Sequence, residues 1–257
     1  MIKRISSPSI IAVAASGRDV KRVSLRTRKG RYFFVVMSFL FLIIALMGFV
    51  PSYQDMYAGQ FSIHWFAHVH GALMTSWLLV FITQSLLAAT GHLKFHRRLG
   101  LFSVVLGILI WISMWIVSAR ALIGYNPPVD NFLFDVLLVQ FYGIALFGLF
   151  FTWGILVRKN AAAHKRLLFL ATLVLIQAGI DRIHWLPDLH LVLSSNFIYM
   201  DALLFTLFIY DWFTLGSIHK ITWMGALFYI IVQVGVMMLW GSPAWHSFWF
   251  NLVNKFR

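Results

Sequence analysis

Seven stretches of the chain are apolar almost throughout: 32–50, 64–89, 98–122, 132–157, 165–186, 191–213 and 222–240. An α-helix needs roughly 20 mainly apolar residues to cross about 30 Å of hydrocarbon. The pattern therefore predicts an all-α, polytopic membrane protein with a seven-transmembrane-helix bundle. The breaks have local causes. Gly48 and Pro51 close the first span, Gly91 the second, and Asn126-Pro127-Pro128 parts the third from the fourth. Pro187 closes the fifth, Gly216 lies beyond the sixth, and Gly241-Ser242-Pro243 follows the seventh; these residues turn or stop a helix. Three regions result: a basic tail over 1–31, a transmembrane domain over 32–240, and an aromatic, basic segment over 241–257 suited to a helix along the interface.

Composition agrees with a lipid solvent. Hydrophobic residues make up 61% of the 257 and charged ones 11%, where a soluble domain carries about 25%. The chain has no Glu, eight Asp, ten His and no Cys, which excludes disulfides, thiolate metal sites and cysteine-linked haem.

The net charge of +13 points to headgroups and not to nucleic acid, because the basic residues flank the apolar runs. Nine lie in the first 31 residues. Others are Lys94, Arg97, Arg98, Arg158, Lys159, Lys165, Arg166 and Lys220, so that 17 of 21 fall on the side of the N-terminus. The positive-inside rule then predicts a cytoplasmic N-terminus, facing anionic headgroups, and a periplasmic C-terminus. The first 31 residues lack the apolar core of a secretory signal and read as a disordered cytoplasmic tail, with an organellar transit peptide as the other reading.

Two segments echo one another: HRRLGLFSVVLG at 96–107 and HKRLLFLATLVL at 164–175. A helix-pair repeat would produce this, and so would a basic anchor before each helix leaving the cytoplasm. The motifs HGALMTSW, HRRLG, AHKRL, YDWFTLGSIH and GSPAW, in that order between about 60 and 250, resemble an uncharacterised family of bacterial multi-pass inner-membrane proteins with an HR-x-L-G signature. The resemblance implies a helical bundle in the bacterial inner membrane and brings no activity with it.

Ionisable residues within apolar spans are costly and mark candidate sites or buried pairs. His64, His68 and His70 head the second span; Asp135 opens the fourth; Asp181, Arg182 and His184 close the fifth; Asp201 lies about ten residues into the sixth, near mid-depth. His64 and His68 share a helix face, whereas His70 points nearly opposite to His68. Gln177, Asp181 and His184 follow i, i+4, i+7.

Imidazole and carboxylate suit a divalent transition metal, with His64, His68, Asp181 and His184 as the four ligands. Haem b between His68 and His184 is the other cofactor reading. Asp135, Asp201, Gln177, Arg182 and His70 would then act as supporting groups or proton carriers. The same residues would serve a proton- or cation-coupled transporter, or a scaffold whose polar cluster only locks helices. His92, His96, His164, Asp211 and His219 sit beside Lys or Arg and read as headgroup anchors. A second haem on His96 and His164 would lie about 30 Å from His184 by helical rise, which argues against a shared bundle. No midspan Lys for retinal, no phosphate loop and no serine-nucleophile spacing at Ser76, Ser194 or Ser195 is present.

Overall fold

The computed structural model describes residues 30–123, 131–189 and 195–255. The basic tail up to Lys29 and the Asn126-Pro127-Pro128 break lie outside them. Seven helices are long and apolar enough to cross a membrane: α1 (Phe33–Tyr57), α2 (Trp65–Ala89), α3 (Leu93–Ile123), α4 (Asn131–Leu156), α5 (Ala161–Ile180), α6 (Ser195–Leu215) and α7 (Lys220–Leu239). An eighth, α8 (Pro243–Lys255), follows. The chain is thus a multi-pass membrane protein with an all-α bundle, as the apolar pattern predicts.

Successive helices place the α2–α3, α4–α5 and α6–α7 connections at one end, called here the basic end, and the α1–α2, α5–α6 and α7–α8 connections at the far end. At the basic end Arg31 Nε donates to the Ala89 carbonyl, tying the start of α1 to an acceptor that the last turn of α2 leaves open. Gly91 turns the chain there at φ +83°.

The central element is α5, which packs on α1, α4, α6 and α7. It is the least hydrophobic of the seven, with mean hydropathy 1.3, yet the most buried. A helix facing lipid must be apolar, whereas one facing protein can carry polar groups that find partners. Asn160 caps α5, its side chain accepting from the Ala162 and Ala163 amides.

Two boundaries differ from those the sequence predicts. Gly48 and Pro51 do not end α1, which continues to Tyr57. Gly48 lies where α1 crosses α5, and a β-carbon there would strike the backbone carbonyl of Gly179; its small size is used for packing. The fifth helix stops at Ile180, with Asp181 as its C-cap, six residues before the expected end. The expected start of the sixth span at 191 lies outside the described residues, which resume at Ser195.

The C-terminal segment folds back on α4. Trp249 packs with Phe134 and Leu137, and Trp245 Nε1 donates to the Phe134 carbonyl at 2.8 Å.

Candidate functional site

A cavity of about 1110 Å³ occupies the far-end half of the bundle. Its walls come from α1 to α7, and most of the lining is apolar, including Leu42, Met74, Leu78, Val139 and Val174. Polar side chains gather along it: His70 from α2, Gln140 and Tyr142 from α4, Gln177 from α5, Asp181 and Arg182 just past the end of α5, and Asn196 from α6. An apolar chamber with a few convergent polar groups has the general character of a small-molecule site.

The helix ends explain this grouping. Because α5 stops at Ile180, Asp181 and Arg182 stand at its mouth-side terminus. Arg182 donates to the Ala178 carbonyl at 2.6 Å and its guanidinium lies 4.6 Å from the centre of the Phe49 ring. That stacking holds the cation against the cavity wall. Protein surrounding the Asp181 carboxyl pushes it up to about 6, against the opposing pulls of the Arg182 charge and an Asn196 hydrogen bond. Asp181 thus titrates close to neutral pH.

His70 Nδ1 lies 2.8 Å from Ser113 Oγ, and that hydroxyl donates onward to the Ile110 carbonyl at 2.7 Å. Ser113 has spent its proton, so Nδ1 carries the hydrogen and Nε2 of the neutral ring is an acceptor. On α5, Gln177 is 6% exposed and its Oε1 has no protein partner.

The expected metal set is not assembled. Among the described residues, no three of His, Cys, Asp and Glu come together as a group able to hold a metal ion. His64 is the exposed N-cap of α2, stacked on Phe66 at 5.4 Å. His68 is exposed, its ring 6.0 Å from Tyr53. His184 lies in an exposed turn beyond the end of α5, so the i, i+4, i+7 stripe that would align it with Gln177 and Asp181 does not form. The early helix stop is the physical reason.

Asp135 is claimed by the C-terminal segment. It accepts from the Gly241 amide at 2.9 Å and faces His246 Nε2 at 3.0 Å, a latch that holds α8 to α4. Asp201 accepts from Gln233 Nε2 at 3.2 Å, while its Oδ1 is buried without a partner.

No family model matches the chain, and comparison with curated proteins and with solved structures likewise gives no match. The site must be read from its own geometry.

At the basic end, two sets of residues behave differently from headgroup anchors. Arg166 and Asp211, 1% and 0% exposed, form a buried ion pair between α5 and α6. Thr222 Oγ1 and the His219 amide donate to the other carboxylate oxygen at 2.6 and 3.0 Å, and Arg166 also reaches the Ala162 carbonyl at 2.6 Å. His219 caps α7, its Nδ1 accepting from the Ile221 amide at 3.1 Å. Burial, and then the Arg166 charge, hold that imidazole below its ordinary range. The YD…H spacing in the sequence is the signal for this network, since Asp211 and His219 flank one turn.

His96 and His164 also meet. Their ring centres are 6.4 Å apart and nearly perpendicular. Nδ1 of His164 donates to the Gly154 carbonyl at 2.8 Å, and that of His96 to the Gln84 carbonyl at 3.2 Å. The two echoing segments thus bring their first histidines to one place.

Proposed function

We propose that this protein binds an amphipathic, lipid-class molecule in the far-end cavity. The apolar body would lie among Leu42, Met74 and Val174, and an oxygen-bearing head among His70, Gln177, Asp181 and Arg182. The observation that carries the reading is the cavity itself: its volume of about 1110 Å³ exceeds typical small-molecule pockets of about 300–1,000 Å³, and its donors are concentrated toward one end. Arg182 and the amide of Gln177 offer hydrogens to carbonyl or acid oxygens, while Asp181 and His70 Nε2 accept from hydroxyls. Both charge asymmetry and family resemblance support a bacterial inner membrane with the basic end cytoplasmic, which would open the cavity toward the periplasmic leaflet. Thermal unfolding in detergent tests the reading. A membrane-lipid extract should raise the melting temperature of the wild type in a dose-dependent way and leave Arg182→Ala little changed. Equal responses in both proteins would refute it.

A second reading keeps the metal or haem that the histidines suggest and moves it to the basic end. His96 and His164 support it, because a backbone carbonyl fixes Nδ1–H on each ring and leaves both Nε2 lone pairs free, the usual arrangement of ligating imidazoles. A transition ion held there would complete its coordination with water. Elemental analysis and a visible spectrum of protein prepared without chelators test it. Metal or haem present in the wild type and lost in His96→Ala and His164→Ala would support it. Its absence from the wild type, or its persistence in both variants, would end it.

A further inference from the structure

Six buried side-chain oxygens among the described residues lie in one region: Gln140 Oε1, Gln177 Oε1, Asp201 Oδ1 and Gln233 Oε1, which have no protein partner, and the Tyr142 and Tyr229 hydroxyls, which face one another closely enough to share a single hydrogen bond. Buried polar groups are nearly always paired, and an unpaired one is costly. Four unpaired oxygens beside a phenol pair, on α4, α5, α6 and α7, are a shared demand for hydrogen bonds that the protein does not meet in full.

Their order has a direction. Gln140, Tyr142 and Gln177 line the cavity. Tyr142, 3% exposed, lies with its ring centre 5.8 Å from that of Tyr229, which is wholly buried. Asp201 and Asp181 are both close enough to act electrostatically on the two phenols. Gln233, on the same helix as Tyr229 and one turn away, donates to Asp201. Beyond this point toward the basic end come the buried apolar side chains of Leu204, Leu207 and Ala226, and then the Arg166–Asp211 pair. The polar series is therefore open at the cavity and closed on the other side.

We propose that this series is a water-carrying path that delivers protons from the far-end cavity to Asp201. Tyr142 and Tyr229 are its narrow segment, since each phenol both donates and accepts. Gln233 holds one carboxylate oxygen of Asp201 and leaves Oδ1 for the proton. The titratable and charged groups facing the path are Asp181, Arg182, Tyr142, Tyr229 and Asp201, and its neutral polar walls are Gln140, Gln177 and Gln233. The path does not require that a lipid occupy the cavity, so the two proposals stand or fall separately.

Infrared spectroscopy of the whole protein in lipid nanodiscs tests it. On acidification a carboxylic-acid band should grow in the wild type, be missing in Asp201→Asn, and shift promptly when the sample is moved to heavy water. In Tyr142→Phe/Tyr229→Phe, which removes both hydroxyls and keeps both rings, the same shift should be slower on the order of tenfold. No band assignable to Asp201, or exchange in the double variant as fast as in the wild type, would overturn the proposal. An Asp201→Glu variant that regains an exchanging band would distinguish proton binding at this position from a packing role.

Discussion

Arg166 Nε donates to Asp211 Oδ1 at 3.0 Å, with both side chains sealed between α5, α6 and α7. Neither residue is within reach of a headgroup, although the sequence places both beside basic, interfacial neighbours. Removing one partner of a buried ion pair strands the other and costs about 3–5 kcal/mol. Asp211→Ala should therefore unfold at much lower temperature than the wild type in detergent. Arg166→Met/Asp211→Leu, which removes both charges, should recover most of that loss. Additive losses in the double variant would contradict the pairing.

Gly48 and Gly179 form the closest approach of α1 to α5. The obstacle to a β-carbon at Gly48 is backbone, which cannot swing aside, so the clash outweighs the gain in helix propensity. Gly48→Ala should cost about 1–3 kcal/mol. Gly235, where a β-carbon meets nothing within 4 Å, provides the control: Gly235→Ala should be neutral or slightly stabilising. Differential scanning of the two variants in the same detergent compares them directly.

Trp249 seals α8 against α4 through Phe134, its ring stacked at 6.0 Å, next to the Asp135–His246 contact. Trp249→Ala removes the ring contact and should free α8 from the bundle. Limited proteolysis should then cut within 243–255 much faster than in the wild type, while the bundle stays intact. An unchanged cleavage rate would mean that the contacts of Asp135 hold the helix unaided.

Asp181 titrates at about 6 in the folded protein, against an ordinary carboxyl of 3.8. A raised carboxyl means that the folded state binds the proton more tightly, so stability falls as pH rises through the window from about 4 to 6 and is level above it. Asp181→Asn removes this dependence, and its melting temperature relative to the wild type should climb across that window. Binding of an acidic head should follow the same group: below pH 6 the neutral carboxyl leaves Arg182 without an adjacent negative charge, and retention should strengthen. A relative melting temperature flat from pH 4 to 7 would contradict the assignment.

Much of the fold is legible in the sequence because the membrane imposes a length rule. All seven spans and the terminal helix are readable from apolar runs and their breaks. The errors arise where one residue type has two uses. Gly48 reads as a stop but serves a close crossing, and Pro51 sits inside α1 because the helix continues past it. The site is less legible for a related reason. Whether Asp181 and His184 share a face depends on where α5 ends, and helix termini are set by capping and tertiary contact more than by hydropathy. The histidines at 64 and 68 draw attention by their number, yet they face outward. Tyr142, Tyr229 and Gln233, which line the buried polar series, look like ordinary residues of apolar helices. Only His70, Gln177, Asp181, Arg182 and Asp201 are both visible in sequence and placed at or beside the cavity.

The cavity is proposed to hold one amphipathic molecule by its head at Arg182. Native mass spectrometry of protein released from a mild detergent addresses it most directly, with wild type, Arg182→Ala and Gly143→Leu side by side. Gly143 borders the cavity, and a β-carbon there meets only the flexible end of Met114 at 3.5 Å, so the leucine should fill space without breaking the bundle. A single retained adduct of lipid mass is expected on the wild type, reduced by about fivefold or more in both variants. A wild type that flies without any adduct, or variants that retain it in full, would contradict it.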